Sequence, residues 1–371
     1  GDGHARMSVA PGDYVLHASR GFEYSVATTR LTVSAGETKR VALGIRREVP
    51  TPGLIASDTH IHTLTFSKHG DATVDERMLT IAGEGIELAV ATDHNLHVDF
   101  REPAERAGVS AHFTPVVGNE VSTKAGHFNA FPVTAGGAVP NAQLTDWSEL
   151  LHHIRTVTGA KVITLNHPRD VHQAFTPLGP DNFDATTGAL KQAAKFDCDA
   201  IEVVTSAAMQ SDIMQLYRDW FALLNYGHRV AGIAASDTHH VSEFILGQAR
   251  TYVVSRATDP ATIDLDEIAA SYRAGRVLVS LGLLTTMTVD GRFSIGDLAT
   301  GQGGELKIAV EVLGPSWVRA DRVELFANGI KVREQAITPG EQVRKAGVTW
   351  TLPRPSHDVH LVAIATGPGV T

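Results

Sequence analysis

Cysteine is almost absent: Cys198 stands alone, so no disulfide can form within the chain, and any metal site must be built from histidine and carboxylate. Placed just before a buried strand, that thiol is expected to be inert. No apolar run approaches the roughly 18 residues of a membrane helix, so membrane insertion is not expected. A basic, apolar, small-residue leader is also missing, and Gly1 to Met7 read as what a cut leaves behind. Nor is there an excess of positive charge: 32 Lys and Arg stand against 41 Asp and Glu, for a formal net charge of -9. That balance removes the electrostatic basis for unspecific nucleic-acid affinity, so nucleic acid is not expected as a structural partner. Internal repeats and low-complexity tracts are lacking as well.

What is present is a chain of 371 residues, 43% hydrophobic and 20% charged, which falls in the globular range and is long enough for more than one domain. Histidine is the outlier. Its 18 copies outnumber tyrosine, tryptophan and methionine together, so a use for imidazole is sought.

The patterning divides the chain into residues 1–49, 50–282 and 283–371. In the first, Leu31 and Val33, then Val41, Leu43 and Ile45, alternate with polar neighbours about the Ala35-Gly36 turn, as short strands of a small β module would. In the second, apolar strands (Glu87 to Thr92, Thr114 to Val117, Val162 to Leu165, Ala200 to Val204, Val230 to Ala234) alternate with helices. Thr73 and Glu76 form a capping box closed by Gly83 or Gly85, Asp146 and Glu149 open a helix stopped by Gly159, and further helices are expected from Ser206 to Tyr226 and from Asp264 to Ala274. This α/β alternation predicts a parallel sheet or barrel. In the third, Leu306, Ile308, Val310 and Val312 alternate and Asn328-Gly329 reads as a hairpin turn, so this module should be all β.

The chemistry lies at the ends of the apolar strands. They run out into Asp58-Thr59-His60-Ile61-His62, Thr92-Asp93-His94-Asn95, Gly118-Asn119-Glu120, Asn166-His167-Pro168 and Ser236-Asp237-Thr238-His239. In a parallel barrel the carboxyl ends of the strands meet at one mouth, where these side chains would converge. Residues two apart on a strand point the same way, so His60 with His62, and Asp237 with His239, can each offer two ligands to one face. Zinc, manganese or iron take such a nitrogen and carboxylate mixture. Glu120 is the candidate bridge between two ions, which would acidify a water held between them into a hydroxide nucleophile. A single His or Asp at a strand end ordinarily caps or hydrogen-bonds; what favours ligation is the conjunction of these ends in one region. Asp58, Asp93, Asn95 and Asn166 are read as residues that orient the imidazoles. Arg169 is a candidate grip for an anionic group, set against an exposed arginine with no role.

The order HxH, DH, a Glu after a strand, His, His-Pro and DxH resembles the ligand series of the PHP (polymerase and histidinol phosphatase) metallohydrolase family, over about Asp58 to Arg250. The resemblance implies a distorted seven-stranded (β/α)7 barrel, here flanked by β-sandwich-like modules. It implies His60, His62 and Asp237 on one ion, Glu120 bridging, His127 and His167 on a second, and His69, His94 and His239 on a third, for two or three divalent ions (Zn, Mn or Fe). Glu120, Asp237 and His239 would be catalytic, with Glu202, in Ile201-Glu202-Val203, among the supporting or substrate-facing residues. The β module before the barrel, the Ile201-Glu202-Val203 strand and Gly275-Arg276-Val277 leading into a β domain are similar to the carbaryl hydrolase (CehA/McbA) branch, whose members are frequently exported; a periplasmic or secreted location follows from that resemblance.

Three functions compete. The first is a phosphoesterase, for which three clustered cations suit a dianionic substrate. The second is hydrolysis of a small carbamate or carboxylic ester, for which two ions suffice. The third is a metal-stabilised binding protein with a silent central region; a complete open ligand series argues against it. An amidohydrolase-type barrel also begins with HxH but favours a carboxylated lysine where this chain has Glu120.

Overall fold

Capping and turn residues set most element boundaries in the computed structural model, which describes residues 3–193, 195–301 and 303–368. Gly1 and Asp2 of the first expected module and Gly369 to Thr371 of the last lie outside the described residues. The chain opens with an antiparallel hairpin, β1 (Gly12–Ala18) and β2 (Ala27–Val33). The strand expected through Val41, Leu43 and Ile45 does not form, and Val41 stays exposed. Alternation makes a strand only where another edge accepts its amides, and β2 is followed here by no such partner.

The middle of the chain runs β3 (Leu54–Ile61), α1 (Leu64–Ser67), α2 (Val74–Gly83), β4 (Leu88–Ala91), α3 (Arg101–Arg106), β5 (Thr114–Val117), β6 (Asn119–Thr123), β7 (Gly126–Phe131), α4 (Trp147–Thr158) and β8 (Val162–Leu165). A two-residue pair, β9 (Phe183–Asp184) and β10 (Ala189–Leu190), precedes β11 (Ala200–Thr205), α5 (Gln215–Tyr226), β12 (Ala231–Ala235), β13 (Arg250–Val254), α6 (Leu265–Arg273) and β14 (Val277–Ser280). The expected caps are in place. Thr73 and Glu76 close a reciprocal capping box on α2, Asp146 caps α4 and Gly159 ends it in the left-handed region, and Asp264 caps α6. The helix expected from Ser206 is interrupted: Ser206–Ala208 is one 3-10 turn, and α5 starts only at Gln215. Asp212 causes the break, because its side chain accepts from the amide of Met214 at 3.0 Å, a local turn that competes with helix.

The ladders form two five-stranded sheets, ordered β14-β13-β3-β4-β5 and β12-β11-β8-β7-β6. β3, β4 and β5 are parallel, as are β8, β11 and β12, whereas β13, β14, β6 and β7 pair antiparallel. The sheets meet through single bridges, Ile61 with Thr238 and His94 with Glu120. The architecture is thus mixed α/β and sheet-rich, and the continuous ladders do not show the closed (β/α)7 barrel that the family resemblance implies. The β6–β7 hairpin adds two antiparallel strands between β5 and the expected helix α4. Apolar side chains from both sheets, including Ile55, Leu88, Val90, Val162 and Ile233, pack in one cluster. Helix α4 buries Trp147, Leu150, Leu151 and Ile154 in another.

Beyond this lie β15 (Leu284–Val289), β16 (Glu305–Leu313), β17 (Arg322–Ala327), β18 (Ile330–Ala336), β19 (Arg344–Pro353) and β20 (Leu361–Thr366). They form sheets ordered β15-β16-β19 and β18-β17-β20. Alternate residues of both, among them Ile308, Val310, Val323 and Leu325, share one core, the arrangement of a small sandwich. Asn328 and Gly329 turn the β17–β18 hairpin with φ of 49° and 78°, as a primed turn requires. The segment between β1 and β2 is packed on both sides. Buried Glu23 pairs with Arg250 at 3.2 Å and accepts from Tyr252, and Trp317 donates to the Tyr24 carbonyl at 2.9 Å.

Candidate metal centre

Each candidate ligand is delivered by a strand or by the residues just past one. His60 sits on β3 and His62 one residue beyond it, their rings 5.0 Å apart as the two-residue strand period dictates. His94 follows β4, His167 follows β8, and Asp237 and His239 follow β12. Glu120 lies on β6, not at the end of β5, and His127 lies on β7 opposite Ser122, on the face that Glu120 shares. Three of these exits bend sharply: Asn95, His167 and Asp237 have φ of 54°, 21° and 52°. Side chains disfavour that region by roughly 1–3 kcal/mol each, and such strain persists only where the surroundings enforce it.

Glu120 is the hub. It is fully buried, and its Oε1 lies 3.1 Å from His60 Nε2, 3.1 Å from His127 Nδ1 and 3.4 Å from His167 Nε2. Its Oε2 lies 2.5 Å from His94 Nδ1 and 3.7 Å from His62 Nε2. Asn166 donates to Oε1 at 3.0 Å. Asp237 Oδ1 stands 3.2 Å from both His60 Nε2 and His62 Nε2. His62, His94 and His239 form a stack with ring centres 4.1 to 5.8 Å apart. His69 stands over this stack, 4.5 Å from His239 and 5.1 Å from His94, but it is exposed and its Nδ1 turns to the Ser67 carbonyl at 3.0 Å.

Four groups of three ligand atoms lie within 4.8 Å of one another: His62, His94 and His239; His127, His167 and His172; His60, His167 and Asp237; His60, His62 and Glu120. His69 joins none of these. His172 was not legible in the sequence, because it lies in the long loop after β8 with no strand end or paired spacing to mark it. The buried Nε2 atoms of His172 and His239 have no hydrogen-bond partner, and those of His60 and His62 meet Glu120 and Asp237 without hydrogen-bond geometry. Buried polar atoms are ordinarily satisfied, so a convergent set of orphaned nitrogens beside two carboxylates fits divalent cations of the borderline class.

The surrounding residues orient this set. Glu202, fully buried on β11, accepts from His60 Nδ1 at 2.7 Å, the His167 amide at 2.8 Å and Thr205 Oγ1 at 2.7 Å. A carboxylate on Nδ1 fixes the tautomer that leaves the Nε2 lone pair free. Asp58 accepts from the amides of His60, Ser236 and Gly247, tying the exit of β3 to that of β12. Asp93 gathers the amides and hydroxyls of Thr63 and Ser67. Buried Arg77 donates to the carbonyls of His62 and His240 and to Thr238, stitching the same two exits. Arg169 makes a two-pronged pair with buried Asp219, through Nη2 and Nε at 2.6 and 2.7 Å, so that edge of its guanidinium is committed to Asp219.

The electrostatics are those of a charge-dense cavity. Burial opposes charge on Glu120, but His127 and His60 override it and hold the carboxyl well below its usual range. Burial lifts Asp237 to about 6, and lowers His62 far down and His239 to about 3. Burial also opposes charge on His167, yet Glu120 and Asp237 raise it to about 9. Away from the centre, Cys198 is buried and burial drives its thiol far up, which disfavours the reactive thiolate.

No family model matches the chain, and no curated protein does. Among solved structures it is similar to a two-domain protein containing a predicted PHP-like metal-dependent phosphoesterase from Bacteroides vulgatus ATCC 8482, at 16% identity over 90% of this chain and 92% of that chain, with a TM-score of 0.43. Likeness of that degree leaves the site to be judged by its own geometry. Among the described residues no helix is long and apolar enough to cross a membrane.

Proposed function

We propose that this chain is a metal-dependent hydrolase that cleaves phosphoesters, with residues 50–282 as its catalytic region, a distorted PHP-type barrel, and the β-rich segments on either side as separate modules. One observation carries the reading: four ligand groups are linked through shared His60, His62 and His167, with buried ring nitrogens that make no hydrogen bond. His60, His62 and Asp237 would hold one divalent cation, His127 and His167 a second, and His94 and His239, with His69 at the rim, a third, with Glu120 shared between them. Such cations, if bound there, would supply an acidified water and charge neutralisation for phosphoryl oxygens. The protein's own part is positional. Glu120 stays ionised, Glu202 holds the His60 ring with Nε2 turned inward, and Asp58 and Arg77 fix the two strand exits against each other.

A second reading draws on the rim. Leu96, Val171 and Val241 lie within five residues of candidate ligands and are exposed, Val171 by 68%. An apolar rim suits an aryl or acyl group, as in a carbamate or carboxylic ester. Elemental analysis of protein purified without chelator, beside turnover of p-nitrophenyl phosphate, bis-p-nitrophenyl phosphate and 1-naphthyl methylcarbamate, separates the two. Two or three cations per chain with phosphate ester turnover, lost in Glu120→Gln, are expected. Carbamate turnover alone moves the assignment to the carbaryl hydrolase type, and a metal-free, inactive protein leaves a binding module.

A further inference from the structure

We propose that His172 is a cation ligand, completing with His127 and His167 a three-imidazole site whose remaining side opens on a polar cavity. The inference rests on the metal-dependent reading above and assigns a residue that neither strand ends nor motif spacing marks. Ring centres of His172 lie 4.1 Å from His127 and 5.2 Å from His167, and one nitrogen from each of the three falls within a common 4.8 Å. The His172 side chain is buried, and its Nε2 has no partner. Glu120 reaches His127 and His167 at 3.1 and 3.4 Å, whereas no carboxylate is paired with His172 among the described residues. Three imidazoles turned on one point, with lone pairs to share, are what a borderline cation requires.

The loop is built to hold this ring inward. His172 and Phe175 pair across a two-residue turn through bonds of 2.6 and 3.1 Å, and the turn residues Gln173 and Ala174 have φ of 52° and 74°. Glycine or asparagine normally fills such a turn; Ala174 has neither the freedom of the first nor the hydrogen-bonding side chain of the second. The base of the loop is fixed by the Arg169–Asp219 pair and by the Leu178 amide on the Pro168 carbonyl at 2.8 Å. Arg169 thus acts as the anchor of the segment that carries His172. Beside the three rings lies a cavity of about 350 Å³ lined by His127 and His172 together with Ser122, Lys124, Gln143 and Gln173. A cation held there would keep an open face, which separates catalytic from structural sites.

The test is a Co2+ titration followed by visible absorption, with metals per chain counted by elemental analysis, on the full chain and on His172→Ala and His172→Phe. Phenylalanine keeps the ring against His127 without its nitrogens, so packing and ligation are separated. Both variants should lose one equivalent of cobalt, or bind it at least about tenfold more weakly, with the absorption of that equivalent altered. Thermal unfolding of metal-free His172→Phe should match wild type, and Asp181→Asn, at an exposed position further along the same loop, should titrate as wild type. Variants that bind every equivalent with unchanged affinity and spectrum overturn the assignment while leaving the metal centre standing. A wild-type chain that binds no cobalt overturns the reading on which it rests.

Discussion

Glu202→Gln should uncouple folding from metal binding through one proton. Oε1 of Glu202 accepts from His60 Nδ1, and Oε2 accepts from the His167 amide and Thr205 Oγ1. Glutamine has one acceptor oxygen. Turned toward His167 and Thr205 it keeps two bonds, and its amide group then donates to His60 Nδ1, which must give up its proton. The proton moves to Nε2, the atom that faces Glu120 and Asp237 at 3.1 and 3.2 Å, and His60 can no longer ligate without reversing that choice. Loss of such an orienting carboxylate typically costs 10- to 100-fold in metal affinity, or about 1.4–2.8 kcal/mol. Zinc titration against a competing chromophoric chelator measures it. Thermal unfolding of the metal-free variant should move far less, because two of the three bonds survive. Wild-type zinc affinity in a folded Glu202→Gln would refute the tautomer argument, and so would loss of affinity matched by loss of fold.

Two further outcomes follow from the geometry. His167 is raised to about 9, because Glu120 and Asp237 outweigh burial, so below that pH the metal-free centre holds a proton there that a cation must displace. Apparent metal affinity should therefore climb with pH until about 9, with protons released on binding near pH 7, as calorimetry in buffers of different ionisation enthalpy can count. Separately, Glu23→Ala leaves Arg250 buried without its carboxylate; destabilisation of about 3–5 kcal/mol is expected, measured by urea unfolding, and a change under 1 kcal/mol would mean that the pair is not buried in solution.

Elements fixed by local chemistry were legible in the sequence. Thr73 with Glu76, Asp146 with Gly159, and Asp264 mark helix ends through bonds spanning four residues or fewer, and Asn328-Gly329 selects its turn by backbone conformation alone. The apolar runs at Thr114–Val117 and Val162–Leu165 are strands as read. Long-range pairing was not legible. β6 and β7 exist because β7 also pairs with β8, and nothing in residues 119–131 announces that partner. The same limit explains the centre. His60, His62, Asp237 and His239 share a strand exit and a spacing, whereas His172 arrives by a loop whose path is set by Arg169 on Asp219, fifty residues away. Arg77 also escaped notice, since its work is done on carbonyls of distant segments.

Glu23, Arg250 and Tyr252 have a consequence for how this chain can change over time. The seam near residue 50 looks in sequence like a place where one module could be exchanged for another. Yet the carboxylate on one side neutralises a guanidinium fully buried on the other, and Trp317 from the last module reaches the same stretch. A chain that shed its first fifty residues would expose a bare cation in β13, next to the strand that carries His60. Lineages that lost or swapped the leading hairpin would have to replace Arg250 in the same step, so positions 23 and 250 should vary together or not at all, and the ancestry of the strands that carry the candidate ligands is tied to that of the segment before them.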